Sequence, residues 1–98
     1  MTLKHVREEI DQTDSQLIRL LARRAELSRT VGRMKAAAGL PIEDRERERQ
    51  VLRSIGAILG ESDEAVSAVR IYEQILTESR ELQRRERAKM LADAEASR

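Results

Sequence analysis

Apolar residues recur at alternating steps of four and three in the first part of the chain, which predicts one long helix over residues 3–37. Seven of the nine positions on this stripe are apolar, and the other two are Thr13 and Arg24. We call the stripe the seam, and its positions are Val6, Ile10, Thr13, Leu17, Leu20, Arg24, Leu27, Val31 and Met34. Such spacing is typical of helices that pack nearly parallel to one another.

A shorter second helix is predicted over residues 44–59, after a turn at Gly39 and Pro41. Asp44 can cap its start, because a carboxylate accepts hydrogen bonds from the free N–H groups there. Glu48 lies one turn before Leu52 on a face that is otherwise apolar. The apolar positions of that face are Val51, Leu52, Ile55 and Leu59.

A third, long helix is predicted over residues 62–90, with Ser62 near its cap. Its inward stripe again advances by threes and fours, but it ends in two polar residues; the positions are Val69, Tyr72, Leu76, Ser79 and Gln83. Residues 84–98 are charged and rich in alanine, and we expect them to be a fraying, solvated end, with a charged tail over residues 91–98. The predicted fold class is all-α: long helix, short helix, long helix, in one domain over residues 1–98.

Composition narrows the class of protein. Tyr72 is the only aromatic residue, so any core must be aliphatic. The 19 Lys and Arg nearly balance the 18 Asp and Glu, which argues against a nucleic-acid or membrane surface. There is no cysteine, no apolar run of membrane-spanning length and no signal-peptide pattern at the start. We therefore expect a cytoplasmic protein.

The predicted first helix is too long for a compact chain of 98 residues. At about 1.5 Å per residue it extends roughly 50 Å, whereas a compact domain of this size has a radius of gyration near 13 Å. Its stripe is apolar along nearly its whole length. A second copy of the chain would cover it most simply, so we expect an intertwined homodimer.

Arg24 in the seam requires a partner, because burying an unpaired cation costs several kcal/mol or more. Either a carboxylate of the protein or an anionic ligand could neutralise it. Lys35 follows eleven residues later, about three turns along nearly the same face. Both could converge over a small anion, with Ser28 and Gly32 leaving room between them. Arg7 is roughly 25 Å from Arg24 along the helix, so it could reach that anion only from a partner chain.

Each polar residue on an inward stripe also has an ordinary structural explanation. Arg24 could set the helix register through an ion pair, Ser79 and Gln83 could be a solvated or interhelical polar pair, and Arg47 could pair with Glu48 at the surface. Taken together on three helices, they favour a ligand pocket. His5 stands alone, and no phosphate-binding loop, nucleophile elbow or di-metal spacing occurs, so we expect neither a metal nor a cofactor.

These residues resemble a known family, the small all-helical chorismate mutases, over residues 3–84. The segments that carry the resemblance are Val6-Arg7-x-x-Ile10-Asp11-x-x-Asp14, Leu20-Leu21-x-Arg23-Arg24-x-Glu26-Leu27, Lys35, Pro41-Ile42-x-Asp44-x-x-Arg47-Glu48 and Ser79-x-x-x-Gln83. Their order and spacing match the family without gaps. The resemblance implies an intertwined homodimer with two equivalent sites. It also implies an isomerase that rearranges chorismate to prephenate, a pericyclic step on the route to aromatic amino acids.

The resemblance also assigns roles to individual residues. Arg24 and Arg7 of the partner subunit would hold the two substrate carboxylates. Arg47 and Ser79 would complete the part of the site that binds them. Lys35 would bridge a carboxylate and the ether oxygen of the breaking bond, and Gln83 would donate to that same oxygen. Glu48 and the backbone at Asp44 would hold the ring hydroxyl.

Three alternatives stay open at the level of sequence. The chain could be an isochorismate-pyruvate lyase, a mutase of the 4-amino-4-deoxy analogue of chorismate, or a helical dimerisation module without catalysis. The intact Asp44-x-x-Arg47-Glu48 segment and Ser79 favour the chorismate mutase over the lyase. The 4-amino-4-deoxy analogue differs only in the group that meets Glu48, so the sequence leaves that alternative open. A complex with another enzyme of the shikimate pathway is also possible.

Overall fold

The computed structural model describes residues 1–98, and it contains three helices and no strand. The helices are α1 (Leu3–Ala38), α2 (Arg45–Leu59) and α3 (Asp63–Ala96). The predicted all-α class, with a long, a short and a long helix, is confirmed.

Side-chain caps define where the three helices begin. Thr2, Asp44 and Ser62 each accept a hydrogen bond from the backbone N–H three residues later. Gly39 ends α1 in the left-handed conformation (φ 68°), which residues with a Cβ rarely adopt. Since only a few residues separate Gly39 from α2, the chain reverses direction at once.

α3 is longer than the sequence pattern predicted. It continues as a helix to Ala96, beyond the end expected near residue 90. Two contacts join α3, just after Gln83, to the end of α1 and its linker: Arg33 pairs with Glu86 at 2.9 Å, and Arg87 donates to the Leu40 carbonyl. The last turns consist mostly of residues with good helix propensity, which explains their helical conformation.

α3 packs against both α1 and α2, whereas α1 and α2 do not pack on each other. The α1–α3 crossing is close at Gly32, where a Cβ would lie 2.9 Å from the Cα of Gln83. Few residues are buried, and most of them lie near this crossing or under α2: Ser28, Gly32, Ile55, Ala65, Leu76, Ser79 and Gln83.

The chain is elongated and thin, with principal extents of 64 × 28 × 14 Å and a radius of gyration of 17.5 Å. Only three apolar residues are buried, Ile55, Ala65 and Leu76. The seam of α1 is largely uncovered, since Leu20 is 67% and Met34 66% exposed. The chain alone therefore buries little apolar surface, the term that dominates folding stability. None of the three helices is both long and apolar enough to cross a membrane.

Gly32→Ala tests the importance of the close crossing. The new Cβ would meet backbone atoms of α3, which cannot rotate away, so we expect a loss of about 1–3 kcal/mol in the free energy of unfolding. Gly56→Ala is the matched control, because nothing lies within 4 Å of its Cβ position and alanine favours a helix by up to about 1 kcal/mol. Denaturant unfolding of both variants measures the difference; equal midpoints would contradict the proposed crossing.

Candidate functional site

A cavity of about 390 Å³ lies between the facing sides of α1, α2 and α3. We call it the central cavity. Its walls combine aliphatic and charged side chains from all three helices and from the α1–α2 linker. The lining residues are Arg24, Leu27, Ser28, Val31, Lys35, Ile42, Asp44, Arg47, Glu48, Val51, Leu76, Ser79, Arg80 and Gln83.

Lys35 is held at one end of the central cavity by two neutral oxygens. Its Nζ donates to the Ile42 carbonyl at 2.7 Å and to Gln83 Oε1 at 3.0 Å. An ammonium only donates, so the carbonyl side of the Gln83 amide must face it. The amide NH₂ of Gln83 is then available as a donor. No carboxylate lies within 4.0 Å of Lys35, so its positive charge is solvated by dipoles but not neutralised.

Arg24 is half-buried and likewise has no carboxylate of its own chain within 4.0 Å. Its guanidinium carbon lies 5.7 Å from the centre of the Tyr72 ring, within the range of a cation–π interaction. The sequence predicted that either a carboxylate of the protein or an anionic ligand would neutralise Arg24, and the chain supplies no such carboxylate. This leaves the seam arginine able to bind an anion.

Glu48 does not pair with its neighbour Arg47 but with Arg80, across the gap between α2 and α3. Both side chains are about a quarter exposed, at 24% and 23%. Sequence reasoning missed Arg80 as a residue of the site. Its spacing of four from Leu76 places both on the same side of α3, and that signal could have identified it.

At the start of α2, Asp44 Oδ1 accepts a hydrogen bond from the backbone N–H of Arg47 at 3.0 Å. The Asp44 carboxylate is therefore used as a helix cap. The Arg47 side chain is exposed, lines the cavity and has no carboxylate within 4.0 Å. It adds a third unpaired cation to the rim.

Ser79 and Gln83 are buried at the α1–α3 crossing, so they are not the solvated pair that the sequence alone allowed. The Ser79 hydroxyl lies 2.6 Å from that of Ser28, and the two form a buried hydrogen bond. Because the crossing is tight, both side chains have little room to change rotamer.

Seven of the eight predicted site residues line the central cavity: Arg24, Lys35, Asp44, Arg47, Glu48, Ser79 and Gln83. Arg7 does not. It lies near the start of α1, is exposed and contacts none of them within its own chain. Its predicted place in the site depends on a second copy of the chain.

The charges that line the central cavity are four cations and two carboxylates, so a formal excess of two positive charges faces it. A small dianion would balance that excess. No three histidine, aspartate or glutamate side chains converge as metal ligands. On the solvent side of α2, hydrogen bonds from Arg49 and Arg53 lower the pKa of Glu46, away from the cavity.

Comparison with known proteins supports the resemblance seen in the sequence. The family model described as chorismate mutase type II matches residues 6–84. The chain is 30% identical over 84 residues to a chorismate mutase of Methanocaldococcus jannaschii, a match that covers 84% of each protein. It is also 45% identical over 53 residues to a bifunctional chorismate mutase/prephenate dehydratase of Aquifex aeolicus, but this match covers 54% of the chain and only 15% of that protein.

A solved structure has the same fold. A conserved hypothetical protein from Pyrococcus furiosus superimposes with a TM-score of 0.70 at 41% sequence identity. The match covers 85% of this chain and 96% of that one.

Proposed function

The chain belongs to the chorismate mutase type II family, and from that premise we propose that it rearranges chorismate to prephenate. The observation that carries the proposal is the central cavity, where Arg24, Lys35 and Arg47 have no carboxylate partner. Such cations suit a substrate that brings two carboxylates of its own. The cavity volume of about 390 Å³ lies within the usual range for small-molecule sites.

In the proposed complex, Arg24 and the partner subunit's Arg7 hold the two carboxylates, and Arg47 and Ser79 complete that contact. Glu48 accepts a hydrogen bond from the ring hydroxyl, which the backbone at Asp44 also binds. These contacts restrict a flexible dianion to the folded conformer from which the rearrangement proceeds. Restriction of this kind lowers the barrier by removing entropy before the reaction begins.

The reaction breaks the ether C–O bond and forms a C–C bond in one cyclic shift of electrons, so it needs no proton transfer and no nucleophile. Negative charge builds on the ether oxygen in the transition state. Lys35 and the NH₂ group of Gln83 supply two donors there, already oriented by their mutual contact at 3.0 Å. Preorganised donors of this type contribute about 3–4 kcal/mol each to transition-state stabilisation.

We also propose that the active form is a homodimer. The exposed seam of α1 and the thin shape of the chain support it, because both leave apolar surface that a second copy could cover. Antiparallel α1 helices would bring Arg7 of the partner subunit to the cavity. A complex with another shikimate-pathway enzyme and a cytoplasmic location stay predictions.

A direct assay with chorismate tests the proposed activity. We expect the purified chain to remove the ultraviolet absorbance of chorismate saturably and to yield prephenate. Release of pyruvate from isochorismate would instead identify a lyase. No turnover of either compound, together with no rise in melting temperature in the presence of a bicyclic transition-state mimic, would favour the dimerisation module.

Lys35→Ala should reduce kcat/KM for chorismate by about 10²–10³-fold, because it removes a donor to the ether oxygen. Lys89→Ala is the matched control, since Lys89 is an exposed lysine of α3 that does not line the cavity. Circular dichroism should show both variants to be helical. Near-normal turnover by folded Lys35→Ala would refute the proposed role.

Gln83→Glu should be active mainly at low pH. An ionised carboxylate would pair with Lys35 and present no donor to the ether oxygen, whereas a protonated one would donate in place of the amide. Activity should therefore rise as pH falls toward about 5, near the ordinary range of glutamate. The pH profile of kcat/KM for the variant and the parent chain measures this, and superimposable profiles would contradict it.

Arg7→Ala and Lys35→Ala together test whether the site is shared between subunits. Each variant alone should retain at most about 1% of the parent activity as a homodimer. A mixed dimer would have one complete site, formed by Arg7 of one subunit and Lys35 of the other, so co-refolding equal amounts should restore about a quarter of the parent activity. No recovery in confirmed mixed dimers would place Arg7 outside the site.

A further inference from the structure

The proposed mechanism uses Glu48 but gives no role to Arg80, the residue that pairs with it. Arg80 Nη1 donates to Glu48 Oε1, and its Nη2 donates to Thr77 Oγ1 at 3.2 Å on its own helix. The guanidinium is thus anchored on α3 and bonded to the carboxylate on α2. It lines the central cavity beside the residue that would hold the ring hydroxyl.

We propose that Arg80 determines substrate specificity, by making Glu48 an acceptor for a neutral hydroxyl and disfavouring an ammonium at the same ring position. This inference rests on the proposed mutase function. It concerns the choice between chorismate and its 4-amino-4-deoxy analogue, which differ only in the group that meets Glu48.

Hydrogen-bond capacity supports the hydroxyl. A carboxylate only accepts and a guanidinium only donates. Arg80 occupies Glu48 Oε1, so Oε2 remains to accept the single O–H of a ring alcohol. A neutral donor completes this arrangement without adding charge.

Charge opposes the amine. The negative charge of Glu48 is already compensated by Arg80, so a substrate ammonium at Oε2 would gain less attraction and would lie close to a fixed cation. Like charges within a few Å repel in a partly buried site, and an element that repels a competitor is a common source of specificity. Without Arg80, Glu48 would be an uncompensated carboxylate, for which an ammonium is the better partner.

The other role open to Arg80 is direct binding of a substrate carboxylate. The structure favours a role through Glu48, because the charge of Arg80 is already compensated by that carboxylate and its guanidinium is fixed between Glu48 and Thr77. Arg24 and Arg47 supply unpaired guanidinium groups on the same cavity. Arg80 therefore acts through Glu48 and is a positioning residue.

The test compares kcat/KM for chorismate and for 4-amino-4-deoxychorismate near pH 7 in four proteins: the parent chain, Arg80→Met, Arg80→Lys and Arg84→Met. Methionine keeps an unbranched apolar stem and removes the charged guanidinium. Arg84→Met is the control, because Arg84 is 54% exposed and pairs only with Glu81, at 3.6 Å. The ratio of the two values is the readout, since a loss of folded protein lowers both equally.

We expect the parent chain to prefer chorismate. Arg80→Met should shift the ratio about tenfold toward the amino compound, a modest effect because the ion pair is partly exposed to solvent. Arg80→Lys should restore most of the parent ratio, and Arg84→Met should leave it unchanged.

Two results would overturn the inference while the mutase function stands: a parent chain that prefers the amine, or an Arg80→Met variant that loses activity equally toward both substrates. The equal loss would identify Arg80 as a carboxylate ligand or a purely structural residue. A parent chain that turns over neither compound would overturn the proposed function and this inference with it.

Discussion

The site depends on cations that lie between the helices and form no ion pair with any acid of the same chain. Tyr72 faces Arg24, and the Ile42 carbonyl and the Gln83 amide hold Lys35. The carbonyl and the amide are dipoles and the aromatic ring carries a quadrupole. These groups lower the cost of desolvating the cations but do not neutralise their charge. The sequence contains 18 acids that could have neutralised these cations, yet none reaches them. Their positive potential is therefore directed into the central cavity, where an anion can use it.

Close helix packing provides the geometry for that electrostatic arrangement. Gly32 allows α1 to approach the backbone of α3 at Gln83, and the Ser28–Ser79 hydrogen bond at 2.6 Å spans the same crossing. This brings Lys35 of α1 within hydrogen-bond distance of Gln83 of α3. A wider crossing would separate the two donors. Small residues on the inner face of α1 are thus as important to the site as the charged ones.

Periodicity and capping chemistry predicted the three helices and the polar residues on their inward stripes, whereas Asp44 and Arg47 were assigned to the site through the family resemblance. Arg24, Glu48, Ser79 and Gln83 could be identified because each is polar at a position where the helix pattern calls for an apolar residue. Lys35 could be placed from its spacing relative to Arg24. These inferences need only the geometry of a single helix.

What could not be predicted depends on contacts between helices. The sequence offers Glu48 an arginine at the next position, and only the packing of α2 on α3 shows that Arg80 is its partner instead. The end of α3 was misplaced for a different reason: residues 91–96 are exposed, so no inward stripe marks them, and only their helix propensity indicates that the helix continues. The role of Arg7 cannot be assessed from one chain, because it depends on an interface with a second copy.

The smallest dimension of the chain, 14 Å, is little more than the diameter of one helix with its side chains. A wall of that thickness cannot by itself keep water from the cavity, so in an isolated chain the surrounding dielectric stays high and the enclosed cations are weakened. Association would therefore stabilise the fold and lower the local dielectric at the same time. Dilution below the dissociation constant would then reduce activity through solvent entry as well as through loss of a neighbouring side chain.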